Sequence, residues 1–308
     1  MEKGIVYRRI DVSGMPIEAD GPPPPADLSG VERMHLDLAY AGGSGAQKLD
    51  LFLPPEASGP LPLIIHIHGG AFMMCDKRDA QVQPWLAGLE RGYAVATINY
   101  RMSGEAIFPA AVHDCKCAVR WLRAHAGEYG LDPDRFASVG ESAGGHLTAM
   151  LAVTSGAEGM EDLSQGNPDR SSSVQACVDM FGPTDFLKMD EQLGSLGLGP
   201  MDHNDADSPE SRYMGGKITE LDPAWMEKSN PLAYVNEGMP PMLIQHGDKD
   251  HLVCVLQSRI FYEAVVGKLG PGRVTLEILE GADHADRHFR TGENMERVFS
   301  FLDEHLKD

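Results

Sequence analysis

Basic residues are the scarce charged class in this chain: 26 Lys and Arg stand against 46 Asp and Glu, a formal net charge of −20. A surface so negative repels phosphate backbones and anionic lipid headgroups, which argues against nucleic acid or a membrane as partner and suits neutral or cationic small molecules. A halophilic or simply acidic, well-solvated surface without functional meaning is the better reading of the charge. Cysteine is sparse too. The five, at 75, 115, 117, 177 and 254, are odd in number and scattered. The one close pair, Cys115 and Cys117, falls inside a helical pattern and has no second pair to complete a zinc site. Buried, reduced thiols of a reducing compartment are expected. No stretch approaches the roughly 18 uninterrupted apolar residues of a membrane span, and the first twenty residues hold no apolar segment of signal-peptide length. A cytoplasmic protein is the expectation. Internal repeats are absent as well.

What is present is enough for a large core. The chain has 308 residues, 42% of them hydrophobic, which fits one large α/β domain or two small ones. Residues 1–30 read as a surface arm with one short strand, ending near the stiff run Pro22–Pro25; the arm could fold over a site or pack against a neighbouring copy. Residues 31–308 then read as a single α/β domain. Leu36–Tyr40 and Gln47–Leu53 alternate like two antiparallel strands joined by a glycine-rich turn. Leu61–His68 is a continuous apolar run, the mark of a central strand. From there predicted helices (79–91, one carrying Val112, Cys115, Val119 and Leu122, 145–153, 256–268, 293–306) alternate with predicted strands (93–100, 135–139, 173–181, 241–246, 274–279). Such alternation specifies a mainly parallel sheet covered on both faces. One stretch breaks the pattern: residues 185–231 are rich in Gly, Pro, Asp and Met without clean periodicity, and read as a lid-like insertion. Within it Asp202–Asp207 begins like a calcium loop. Ala206, Asp207 and Tyr213 stand where a ligand, the turn glycine and the closing glutamate belong, so a solvated acidic loop is the better reading.

The stretch with chemistry in it is Gly140-Glu141-Ser142-Ala143-Gly144. A short apolar strand precedes it and a helical run follows, and strand–sharp turn–helix is the setting a nucleophilic serine requires. A glycine-rich turn with a solvent-facing serine would look the same in isolation. A serine hydroxyl needs a base to take its proton and a carboxylate to orient that base, and in this architecture both follow it in the chain. The acid lies in His246-Gly247-Asp248-Lys249-Asp250, directly after a buried strand. Asp250 is preferred; Asp248, beside the turn glycine, reads as a brace. The base lies in Gly281-Ala282-Asp283-His284, where His284 is preferred over His288, one helical turn later. A His pair at that spacing can hold a metal, but no third ligand is evident. Charge developing on a carbonyl oxygen needs fixed N–H donors. The Ala143 amide supplies one, and His68-Gly69-Gly70-Ala71-Phe72 offers the amides of Gly70 and Ala71, with His68 bracing that loop. Phe72, Met73 and Met74 are candidates to line an acyl or alcohol pocket, although such residues more often belong to a core.

Taken together, HGGAF, NYRMS, FPAAVHD, GESAGGHL, HGDKDHLV and GADHAD resemble the α/β-hydrolase esterases over about residues 35–308. The order and spacing are similar to the hormone-sensitive-lipase-like branch, and more closely to the bacterial acetyl/feruloyl esterases of the BD-FAE group; VDMFGPTDF and KSNPLAYV resemble that group too. The resemblance implies an α/β-hydrolase fold and a serine esterase for short acyl esters, with acetyl or feruloyl esters of xylan fragments among its substrates. It implies a triad of Ser142, Asp250 and His284, an oxyanion hole of Gly70, Ala71 and Ala143, and no metal or organic cofactor. Arylformamidases share the machinery, and a ligand-binding protein on the same fold is the rival from another class. Two departures stand out. Ala71 replaces the third glycine of the common HGGG, which leaves its N–H in place. Asp283 replaces the usual glycine before the histidine, where it would either pair with His284 or face solvent.

Overall fold

The computed structural model describes residues 8–11, 23–57 and 59–307. In chain order the elements are β1 (Arg8–Asp11), β2 (Arg33–Ala39), β3 (Lys48–Leu53), β4 (Leu61–Ile67), a 3₁₀ stretch (Gln83–Arg91), β5 (Ala94–Ile98), α1 (Ala110–Ala124), α2 (Ala126–Tyr129), β6 (Leu131–Glu141), α3 (Ala143–Val153), β7 (Ala176–Met180), α4 (Met189–Leu196), α5 (Pro209–Met214), α6 (Pro223–Lys228), β8 (Met242–Gly247), α7 (Leu256–Leu269), β9 (Val274–Glu280) and α8 (Gly292–Leu306).

The nine strands among the described residues join one sheet in the order β1-β9-β8-β7-β6-β4-β5-β3-β2. The β2–β3 and β3–β5 pairs are antiparallel and the others parallel. The apolar run of β4 is explained by its place: between β5 and β6 it is buried at every position. Alternate residues of that strand feed two cores. Leu63, Ile65 and Ile67 pack with α1 and α3 on one face, while Ile64 packs with Trp85, Val95, Val139, Phe299 and Leu302 on the other, as the two-residue period of a strand requires. Helix α8 presents Met295, Val298, Phe299, Leu302 and Leu306 to the second core at helical spacing. Helix α3 is buried along its whole length, held between the sheet and α1. Each large side chain buried in this way contributes about 1.5–3 kcal/mol, so α3 is anchored by packing rather than by helix propensity.

The arm contributes a strand: β1 runs parallel to β9 at the sheet edge, with Arg8 opposite Glu277 and Asp11 opposite Glu280. Whether the arm covers a site depends on residues 12–22, which lie outside those described. Further on, Pro25 bridges to Asp79, and the Ala26 amide donates to the Arg78 carbonyl at 2.8 Å.

The insertion is more regular than its composition suggests. It forms α4, α5 and α6, two of them with a proline in the first turn and a capping side chain: Ser208 accepts from the Ser211 amide and Asp222 from the Ala224 amide. Its Tyr213, Met214 and Ile218 enter the main core. In the segment that begins like a calcium loop, the Asp190 carboxylate accepts hydrogen bonds from the amides of His203 and Asn204 at 3.0 Å each.

Candidate active site

The parallel strands β4, β6, β8 and β9 all end on the same side of the sheet, and the candidate serine, acid, histidine and glycine-loop residues follow directly after those ends. Strand β6 ends at Glu141, α3 begins at Ala143, and Ser142 alone makes the turn, with φ 55° and ψ −120°. That backbone conformation is strained for a residue with a side chain, by about 1–3 kcal/mol. It is held by the Ser142 amide donating to the Met180 carbonyl at 2.9 Å and the His146 amide donating to the Ser142 carbonyl at 3.0 Å. The turn is possible because its glycines lie against backbone: a Cβ at Gly144 would fall 2.0 Å from the Ile67 carbonyl oxygen, and one at Gly140 2.3 Å from that of Gly144.

His284 joins the three candidates. Its Nε2 lies 3.0 Å from Ser142 Oγ and its Nδ1 lies 2.8 Å from Asp250 Oδ2. Asp250 is fully buried. Burial pushes its carboxyl up, but the His284 imidazole and the hydrogen bonds to His246 and His284 outweigh that and hold it well below the usual carboxylate range. Its Oδ1 accepts from the amides of Leu252 and Val253 at 3.0 and 2.7 Å, and His246 Nε2 stands 3.2 Å from Oδ2. The carboxylate is thus ionised, fixed and aimed. Asp248 does something different: it accepts from the Gly281 amide at 2.7 Å and braces the histidine-bearing turn. His288 is buried away from the serine, with Nδ1 2.6 Å from Asp286 Oδ1.

The His68–Phe72 loop lies against the serine turn, since a Cβ on Gly69 would come within 3.3 Å of Ser142 Cβ. Gly70, Ala71 and Phe72 all take positive φ, at 111°, 54° and 58°, which curls the loop. Its curl is closed by the amides of Met73 and Met74, both donating to the Gly70 carbonyl. Gln81 anchors the loop by accepting from the Gly69 amide at 2.7 Å. His68 braces it: the ring stacks on Tyr100, and Nδ1 lies 2.7 Å from the Gly69 carbonyl oxygen. Burial pushes the His68 imidazole down, so it is neutral, and that Nδ1 is the donor. Phe72 is 2% exposed, its ring stacked on Tyr213 at 4.0 Å; it supports the loop from below. Met73 is half-buried and lines a cleft of about 430 Å³ with Ser103, Ala206 and Arg212, and Met74 is exposed.

Several residues of the site escaped the sequence reading. Phe181, in positive φ after β7, sets its ring against His284 with centroids 4.9 Å apart. His246 backs Asp250, Gln81 anchors the His68–Phe72 loop, and Tyr213 reaches that loop from the insertion. The HGD motif contained His246, but only a structure shows which way its ring turns. Asp283 takes neither place foreseen for it. Its carboxylate accepts from the His284 backbone amide at 2.7 Å and faces the His251 ring, Nδ1 at 2.6 Å.

Strand order, serine turn and the order of serine, acid and histidine define an α/β-hydrolase. The chain belongs to the BD-FAE family, whose match extends over residues 49–265. It is similar to the esterase LipQ of Mycobacterium tuberculosis, 31% identical over 252 residues, 81% of this chain and 56% of LipQ. Among solved structures it is similar to a truncated form of a carbohydrate esterase from gut microbiota, with TM-score 0.80, 29% identity and coverage of 91% and 99% of the two chains. It is also similar to an esterase from Thermogutta terrifontis, with TM-score 0.67, 25% identity and coverage of 91% and 94%. The chain spans about half the length of the mycobacterial relatives it matches.

Proposed function

We propose that the protein is a serine carboxylesterase for short acyl esters. The observation that carries this reading is the single imidazole of His284 bridging Ser142 Oγ at 3.0 Å and the buried Asp250 carboxylate at 2.8 Å. In this reading His284 Nε2 takes the hydroxyl proton as Ser142 Oγ attacks the acyl carbon. In the same reading the charge that develops on the carbonyl oxygen is met by the backbone amides of Gly70, Ala71 and Ala143. His284 returns the proton to the departing alkoxide, leaving an acyl group on Ser142. A water, deprotonated by the same imidazole, releases the acid and regenerates the serine. Asp250 holds the ring in the tautomer that keeps Nε2 free to accept. The groups named complete this cycle without a metal or an organic cofactor.

The substrates we assign are acetyl or feruloyl esters of small molecules or oligosaccharides such as xylan fragments. Membership of the BD-FAE family and the likeness to a carbohydrate esterase support this. The half-buried Met73 beside the donor loop is the residue we place against the substrate, with Phe72 beneath it. Five free cysteines support a reducing, cytoplasmic setting, and no helix among the described residues is long and apolar enough to cross a membrane. Hydrolysis of p-nitrophenyl acetate, butyrate and octanoate, methyl ferulate and acetylated xylo-oligosaccharide by wild type and Ser142→Ala tests the proposal. Turnover that disappears in the variant is expected. No turnover of any ester, or equal turnover by the variant, would overturn it in favour of an amide substrate or ligand binding.

A further inference from the structure

Two loops supply the acid and the histidine, and each carries a second residue of the opposite kind next to the first. The loop after β8 reads Asp250-His251, and the loop after β9 reads Asp283-His284. The pairs cross. Asp250 of the first loop holds the His284 ring at 2.8 Å, and Asp283 of the second meets the His251 ring at 2.6 Å. One oxygen of Asp283 does more than that. Oδ1 also accepts from the His251 amide at 3.1 Å and from the His284 amide at 2.7 Å. It therefore binds the backbone of the candidate base and both the backbone and the ring of the residue that follows the candidate acid.

We propose that the outer pair, Asp283 and His251, is a clamp that positions the inner pair. The claim rests on the esterase reading above for its effect on turnover. The geometry requires something of this kind. His284 hangs from a turn whose next residue, Ala285, has φ 54°, and its ring must meet a serine on one side and a carboxylate on the other within a few tenths of an ångström. The loops are stitched at their bases by Asp248, which accepts from the Gly281 amide, and by the Lys249 amide, which donates to the Ala282 carbonyl at 3.0 Å. Neither of those contacts reaches His284 itself. Asp283 does, at the peptide unit from which the ring is suspended. A glycine there, as in the common pattern of the family, leaves the His284 amide without this acceptor and His251 without a partner for its ring. The inner pair is shielded, Asp250 being fully buried, whereas the side chains of Asp283 and His251 are 27% and 49% exposed. Neither outer residue touches the serine, so both are positioning residues rather than catalytic ones. The insertion packs directly on the clamp: a Cβ on Gly199 would fall 1.9 Å from the His251 carbonyl oxygen, so the clamp is walled on that side.

Three variants test the clamp: Asp283→Ala, His251→Ala and the two combined. Misalignment of a catalytic group by a fraction of an ångström lowers kcat by about ten-fold while leaving KM nearly unchanged, and that is the result expected for Asp283→Ala. His251→Ala shifts kcat in the same direction, and the double variant is no worse than the worse single, since both remove one shared contact. Asp283→Asn, which still offers an acceptor to both amides, recovers most of the loss. Unchanged kcat in Asp283→Ala, or losses that multiply in the double variant, would overturn the proposal. A second readout stands apart from turnover. The imidazole NMR resonances of His284 at fixed pH are expected to shift and broaden in both single variants that still show a cooperative thermal melt. His284 signals identical to wild type would overturn the clamp whether or not any ester is hydrolysed, whereas loss of the esterase reading alone leaves the expected NMR changes in place.

Discussion

Asp250→Asn isolates the one charge on which the proposed chemistry depends. The carboxylate uses both oxygens: Oδ1 accepts from two backbone amides, and Oδ2 accepts from His284 Nδ1 at 2.8 Å, with His246 Nε2 at 3.2 Å. Asparagine keeps the first oxygen and its two amides, so the loop stays closed. It puts an NH₂ where Oδ2 was. His246 Nε2 donates to the Val253 carbonyl at 2.7 Å, so it now faces a second donor, and His284 Nδ1 must become the acceptor. The His284 proton then moves to Nε2, where it points at Ser142 Oγ, and the ring can no longer take the serine proton. Inversion of the tautomer in a triad of this kind lowers kcat by about 10⁴-fold, which is about 5.5 kcal/mol of lost transition-state stabilisation. The assay is kcat on p-nitrophenyl acetate, with a thermal melt to show that the variant is folded. Asp248→Asn serves as the neighbouring control, since Asp248 only braces a turn. A folded Asp250→Asn retaining more than about a tenth of wild-type kcat, or a larger kcat loss in Asp248→Asn, would refute the assignment.

Two further outcomes follow from packing and burial. Gly144→Ala places a Cβ 2.0 Å from one backbone oxygen of β4 and 2.7 Å from the His68 carbonyl oxygen; neither can yield alone, so the serine turn opens and stability falls by about 3 kcal/mol. Urea unfolding within 1 kcal/mol of wild type would contradict the close approach. Asp179 is buried beside this turn, where desolvation pushes its carboxyl up to about 6, against 3.8 for an ordinary aspartate. The Gly182 amide, donating to it at 3.0 Å, only partly offsets that. Between those two values the folded protein holds a proton that the unfolded chain has released, so stability falls as pH rises and the penalty is complete above about pH 6. Asp179→Asn removes that term, and its melting temperature should improve on wild type more at pH 8 than at pH 4; an equal difference at both would refute the cause.

Most strands were legible because their signals are local. The run of β4 announced burial on both faces, alternation announced β2 and β3, and helical spacing of Val112, Cys115, Val119 and Leu122 announced α1. The insertion was not legible as helix, although Ser208-Pro209 and Asp222-Pro223 carry the capping residue and first-turn proline of helix starts. Helices α5 and α6 are six residues each, less than two turns, so no apolar period can develop in them.

The candidate site divides along the same line. Sequence by itself determined the kinds of residue and their order: a serine in a glycine-bounded turn, a loop with two consecutive glycines before it, an acid and a histidine after later strands. Those choices follow from what the backbone can do at each position, and a chain records them residue by residue. Sequence preferred Asp250 over Asp248 and His284 over His288, but only the tertiary structure brings the Asp250 carboxylate to the His284 ring and that ring to Ser142, because such a meeting depends on where a loop 34 residues away in sequence points its side chains. Tertiary structure also decided that Phe181 faces the imidazole, that Phe72 lies beneath its loop on Tyr213, and that Asp283 answers to His251. Each of these is a contact between elements brought together by the parallel sheet. Their geometry is set by the register of β8 against β9 and β6 against β7, which no local pattern encodes.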